Sequence, residues 1–250
     1  MAGDSLVEAM VQQFTLFILY FFAYAFIGWV WETVFEGIKE HRWVNTGFLN
    51  GPWQPLYGFA IIGVLLLIQP VQNNWLAIYL IAVVYITVLE YVTSWGMEKL
   101  FHARWWDYSN IPGNINGRVA IPISLFWGIG GILLVKFVQP VIARWVSHTA
   151  SDYGVFAAIL LIAAFMFDFG FTLANMPAFQ AATKKLDDAV QAAKAQADDW
   201  QSQVAADALP KMNYVQRRLL NNFSSMKLTG RHSSVAELRH VLNQNRSIKK

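Results

Sequence analysis

The sequence predicts an all-α fold: a polytopic membrane helix bundle of about five spans with a helical cytoplasmic tail. Three observations predict it. Only 14% of the 250 residues are charged, against roughly 25% in soluble domains. Long apolar runs recur up to residue 175, and from residue 178 onward the chain turns polar. The basic residues gather on one side of those runs, as they do in membrane proteins.

A helix needs roughly 20 apolar residues to cross a hydrocarbon core of about 30 Å. Five runs meet that length, near residues 14–35, 53–71, 76–95, 119–138 and 153–173. The first is expected to be retained rather than cleaved. It has no basic stretch before it, and Gly28-Trp29-Val30-Trp31-Glu32 is no small-residue cleavage site. Trp29, Trp31, Trp53, Trp75, Trp95, Trp145 and Tyr153 sit near the span ends, where an aromatic belt anchors at the interface. Lys39, Arg42, Lys99, Arg104 and Arg118 fall in loops on the same side as the tail; only Lys136 and Arg144 fall opposite. That bias places the N-terminus outside and the C-terminus in the cytoplasm of a multi-pass plasma-membrane protein. Residues 1–175 then form the transmembrane domain and residues 178–250 a basic cytoplasmic tail.

The tail holds 12 Lys/Arg against 6 Asp/Glu, a net +6. Phe179, Leu186, Val190, Ala193, Ala197, Trp200 and Val204 make a seam at helical spacing, which Pro210 ends. Met212, Val215, Leu219, Phe223 and Met226 mark a second helix, and Ser234-Val235-Ala236-Glu237 is a capping box that opens a third. Its basic residues suit anionic lipid headgroups or plain solvation, and the helices suit packing on one another. Acids interleave with the bases and no reading motif is present, so no nucleic-acid partner is expected.

Ionisable residues within a bilayer cost on the order of 3 kcal/mol each, which makes every one a candidate site. Glu32, Glu90 and Asp168 lie late in the first, third and fifth spans, all toward the cytoplasmic half. Tyr24, Gly28, Glu32 and Glu36 form one stripe, and Thr87, Glu90, Tyr91 and Ser94 another, so both stripes should face the bundle. The plainer reading is that these acids are hydrated, or paired with a loop arginine, and only hold helices together. Arg118, at the start of the fourth span, is the expected ion-pair partner of Glu32 or Glu90, or else a holder of an anionic ligand.

Two cytoplasmic loops mix turn-forming Asn, Gly and Pro with aromatics, a composition that folds back onto its scaffold. Their motifs are Asn45-Thr46-Gly47-Phe48-Leu49 with Gly51-Pro52 and Pro55-Leu56-Tyr57-Gly58, then Trp106-Asp107-Tyr108-Ser109 and Asn116-Gly117-Arg118. Together with Gly28-Trp29-Val30-Trp31-Glu32, Glu90 and Glu98, these resemble the ABC-transporter type IV, CmpB-like, membrane family over residues 14–140. The resemblance implies transport, and it adds Asn45, Trp106 and Tyr108 to the candidate residues. One departure is that the family has Asn-Arg-Gly-Phe-Leu in the first loop, whereas Thr46 stands here at the arginine position.

The chain has no cysteine, which excludes disulfides, thiolate nucleophiles and Cys-type zinc sites. It has no Gly-x-x-x-x-Gly-Lys-Ser/Thr, so an ATPase would have to be a separate subunit. His-Glu-x-x-His and Gly-x-Ser-x-Gly are also missing, and no ligand spacing supports a metal or another cofactor. The expectation is a permease for a small solute or lipid-like molecule, a homodimer because five spans make a small transporter. Glu32, Glu90 and Asp168 would accept protons or cations beneath a lid of the two loops, with Asp107, Asn116 and Arg118 at its mouth. The rivals are an intramembrane enzyme that acts on a lipid headgroup by acid–base chemistry, and a non-catalytic membrane scaffold.

Overall fold

In the computed structural model, which describes residues 2–195, 209–223 and 225–247, the chain is an all-α, membrane-type bundle. Helix α1 spans Ala2–Glu40, α2 Pro55–Leu67, α3 Trp75–Phe101 and α4 Ile121–Leu133. A π-helical turn, Leu134–Val138, carries α4 into α5, Gln139–Asp152, and α6 follows over Gly154–Lys194. Four stretches are long and apolar enough to cross a membrane: Ser5–Glu40, Trp75–Phe101, Ile121–Ser151 and Gly154–Lys194.

The second expected span is the exception. α2 has 13 residues, about 20 Å of helix. It starts at Pro55, which has no N–H to lose at a first helical position. Before it, residues 41–54 fold back along α1 until the Gln54 amide reaches the Ala25 carbonyl at 2.9 Å. After it, Pro70 lies in a short 3-10 turn, Gln69–Val71.

The fourth expected span begins two residues late, because Val119–Ala120 form strand β3. The π turn lies just before Pro140, whose ring cannot fit under an ordinary α-helical carbonyl. The fifth runs on past Pro177 to Lys194, so the change from apolar to polar composition falls inside one helix.

Close packing depends on small residues at a few contacts. A Cβ on Gly28 would collide with the Tyr57 ring, and one on Gly58 with Phe21 at 2.6 Å, so α1 and α2 lie almost backbone to ring. Ile78, Ala82, Ile86, Glu90 and Ser94 are the buried residues of α3, one every fourth position. They put Glu90 on the bundle face, as its stripe predicts.

Below the bundle, α7 (Tyr214–Asn222) and α8 (Val235–Ser247) pack against the end of α6 and the loops. Phe179, Leu186, Val190, Met212, Val215, Leu219, Leu238 and Val241 bury together there. The capping box forms: the Ser234 amide donates to Glu237 at 2.7 Å and the Glu237 amide to Ser234 Oγ at 3.2 Å. A second box opens α7, between Asn213 and Gln216. Of the expected seam, Ala197, Trp200 and Val204 lie outside the described residues.

Candidate functional site

Glu32 and Glu90 come together from α1 and α3, close enough for their charges to interact. Tyr57 of α2 donates its hydroxyl to Glu32 Oε1 at 2.8 Å, and Gln54 Nε2 donates to Glu32 Oε2 at 3.2 Å. Gly28 makes the first bond available, because only a residue without Cβ lets the Tyr57 ring lie against α1. Glu90 is 6% exposed, and its Oε2 has no hydrogen-bond partner. Trp127 of α4 turns its indole N–H toward the Glu90 carboxyl and packs edge-on against Tyr57 at 5.5 Å. Among the described residues neither acid has a Lys or Arg partner. Glu90 is buried and Glu32 partly so.

Arg118 does not pair with either acid, contrary to expectation. Its guanidinium is 2.5 Å from Glu98 and 3.4 Å from Ser94 Oγ. Glu98 lies about two turns beyond Glu90, and it also holds Arg104 at 3.1 Å. Arg118 follows the turn made by Asn116 and Gly117, both at positive φ, which aims it at the end of α3 rather than its middle.

The second loop, residues 102–120, is a compact unit built on strands β1 (Ala103–Arg104), β2 (Asn114–Ile115) and β3. Trp106 Nε1 donates to the Arg118 carbonyl at 2.9 Å, and Arg104 Nη1 to the Asn116 carbonyl at 2.8 Å. Asp107 accepts from Ser109 Oγ at 2.5 Å and faces Arg104 at 3.6 Å. Asn116 Nδ2 reaches the Tyr91 hydroxyl at 2.9 Å. Trp106, Asp107, Asn116 and Arg118 therefore shape this loop, while Tyr108 is the member within electrostatic reach of the acids. Burial, then the neighbouring Glu90 and Glu32 charges, push the Tyr108 phenol above its usual range, so it remains an O–H donor.

In the first loop Asn45 is the organiser. Its Oδ1 accepts from Trp29 Nε1 at 2.8 Å, and its Nδ2 donates to the Asn50 carbonyl at 3.0 Å. Asp168 then receives the loop's tip: Gly51 N at 2.7 Å, Trp53 Nε1 at 2.8 Å, Asn50 N at 3.0 Å and Asn50 Nδ2 at 3.1 Å. So among the described residues the hydrogen bonds of Asp168 run to this loop and to Thr172, not to Glu32 or Glu90. Trp29 and Trp53 spend their indole N–H groups inside the protein rather than at an interface, whereas Trp31, Trp75, Trp95 and Trp145 stay exposed.

Three members of the cluster were not among the expected site residues: Gln54, Tyr57 and Trp127. Tyr57 and Gln54 sit in a Pro-rich segment that reads as turn chemistry. Trp127 carries a signal of its own, since it lies too far into its span for an interfacial belt.

No curated protein and no solved structure matches the chain. The model of the family described as Putative ABC-transporter type IV matches residues 19–173, which extends the likeness through the fifth expected span. Glu32, Glu90, Asp168 and both loops fall inside that match and the tail follows it; with more than half of its length covered, the chain belongs to this ABC-transporter type IV family.

Proposed function

We propose that this membrane protein is a permease that moves a small solute through the Glu32–Glu90 cluster, with the two loops and the tail on the cytoplasmic side. The observation that carries the reading is a pair of neighbouring acids from different helices, Glu90 buried and Glu32 partly so, with no Lys or Arg paired to either among the described residues. Two carboxylates in apolar surroundings do not both stay charged, so the pair holds a proton or a cation. Such a site can exchange one for the other as its access changes. Tyr57 fixes Glu32, and Glu90 Oε2 is free to meet a substrate. Asp168 serves the site indirectly by holding the first loop, and Asp107, Asn116 and Arg118 do so by shaping the second.

Arg118 bears against the headgroup-enzyme reading, because its guanidinium is committed to Glu98. The sign of the site also favours a proton or a cationic group over a phosphate.

Dicyclohexylcarbodiimide, which takes up the proton of a carboxyl group in apolar surroundings and is then attacked at its central carbon by the carboxylate, tests the assignment. Peptide mass mapping of the detergent-purified protein should find it on Glu32 or Glu90 and not on Asp168. Modification of Asp168 alone, or of none of the three, sinks the reading. The same preparation shows whether an ATPase remains bound; a stoichiometric one would establish an ABC-type assembly and reduce the acid pair to structure.

A further inference from the structure

The segment after the family match is folded onto the two loops from which Gln54 and Tyr108 approach the acid cluster, and its contacts with them are specific. Arg218 of α7 is 5% exposed. It donates through Nη1 to the Gly47 carbonyl and through Nη2 to the Phe48 carbonyl at 2.8 Å. Asn222 Nδ2 donates to the Asn45 carbonyl at 3.1 Å, and Arg42 in return donates to the Asn221 carbonyl at 2.8 Å. On the second loop, strand β4 (Lys227–Leu228) pairs antiparallel with β1. Thr229 extends that grip, its amide on the His102 carbonyl at 2.9 Å and its hydroxyl on Glu98 at 2.7 Å. Between the loops, Trp105 packs against Phe48 at 5.1 Å and Phe223 at 5.0 Å.

These contacts fall on the carbonyls of residues 45–48, a few residues before the amides that Asp168 holds and before Gln54 on Glu32. A guanidinium fork that satisfies two successive loop carbonyls fixes the loop's path, because a single orientation meets both. We propose that α7 and β4 act as a clamp in cis, with Arg218 as its positioning residue, and hold both loops closed over the Glu32–Glu90 cluster. The loops then open only when this segment lets go. Val215, Leu219 and Leu220 seat α7 in the buried cluster with α6 and α8, so release of the clamp is a sub-global opening rather than the fraying of one helix. The proposal rests on the loop and tail contacts and not on what the acid pair carries, so it stands or falls apart from the transport reading.

The chain has no cysteine of its own, and Ala103 and Leu228 face each other across the β1–β4 pair. Cysteines at two directly opposed positions suit a disulfide. In the full-length Ala103→Cys/Leu228→Cys protein, oxidation should slow amide hydrogen exchange of residues 45–54 by about tenfold or more, reversed by reductant. Arg218→Ala should speed the same amides by a similar factor. If exchange within α7 responds to the disulfide while residues 45–54 stay within about twofold, the loop opens independently of the tail and the clamp is wrong. The disulfide arm decides the matter even if Arg218→Ala fails to fold.

Discussion

Asp168 and Glu90 are both acids on apolar helices, 8% and 6% exposed, and their surroundings are opposite. Asp168 accepts from two backbone amides, an indole and a side-chain amide, and the Arg218 guanidinium lies within electrostatic reach. Glu90 has an oxygen with no donor, one tryptophan N–H beside it where Asp168 has four donors, and a second acid in place of a counter-ion. Burial of a charge costs little when donors surround it and a great deal when they do not. The first acid therefore stabilises the fold. The second is retained at a cost to the fold, and the proposed function gives that cost a reason.

The contrast breaks most visibly at Asp168. Asp168→Ala leaves the Gly51 amide, the Trp53 indole and the Asn50 side chain without their acceptor, at a cost on the order of 3 kcal/mol. Unfolding in mixed detergent micelles should report that loss, together with protease cleavage within residues 45–54. If the variant is as stable as the parent, the loop is held by other contacts and Asp168 is not its latch.

Gly28 comes next. Gly28→Ala drives a methyl into the Tyr57 ring, and overpacking of that kind costs about 2 kcal/mol. Because Tyr57 must move, Glu32 also loses its donor, so stability and transport should fall together. Tyr57→Phe separates the two. It keeps the ring, removes one hydrogen bond to a carboxyl that is only partly buried, and should cost about 1 kcal/mol in the same unfolding assay.

The sequence makes some of this architecture legible and hides the rest for a physical reason. Apolar runs and a one-in-four buried stripe are local signals, so α1, α3, α4 and α6 and the inward face of Glu90 can be read directly. The Ser234–Glu237 box is equally local. The partners of Arg118 and Asp168 are not. Glu98 and Arg118 are twenty residues apart, and Asn50 and Asp168 more than a hundred, so no spacing links them. α2 is shorter than its apolar run, residues 53–71, for another reason: Pro55 starts the helix two residues late, and the 3-10 turn around Pro70 ends it four residues early. Likewise the change of composition at residue 178 says nothing of a tail that folds back onto loops more than a hundred residues earlier in the chain.

The smallest expected change in stability belongs to Glu90→Gln, and it tests the comparison hardest. The amide keeps the shape of the side chain, removes a buried charge that has no counter-ion, and offers a donor to the neighbouring Glu32. Stability should therefore stay within about 0.5 kcal/mol of the parent or rise. Uphill solute flux in proteoliposomes should nonetheless disappear, while exchange that needs no change of protonation can persist. A carboxyl retained for the fold behaves in the opposite way, as Asp168 should: its loss lowers stability first, and flux falls only as the folded fraction falls. If Glu90→Gln is strongly destabilised, or is stable and still drives uphill flux, Glu90 belongs with Asp168 as a structural group, and the site must be sought elsewhere in the bundle.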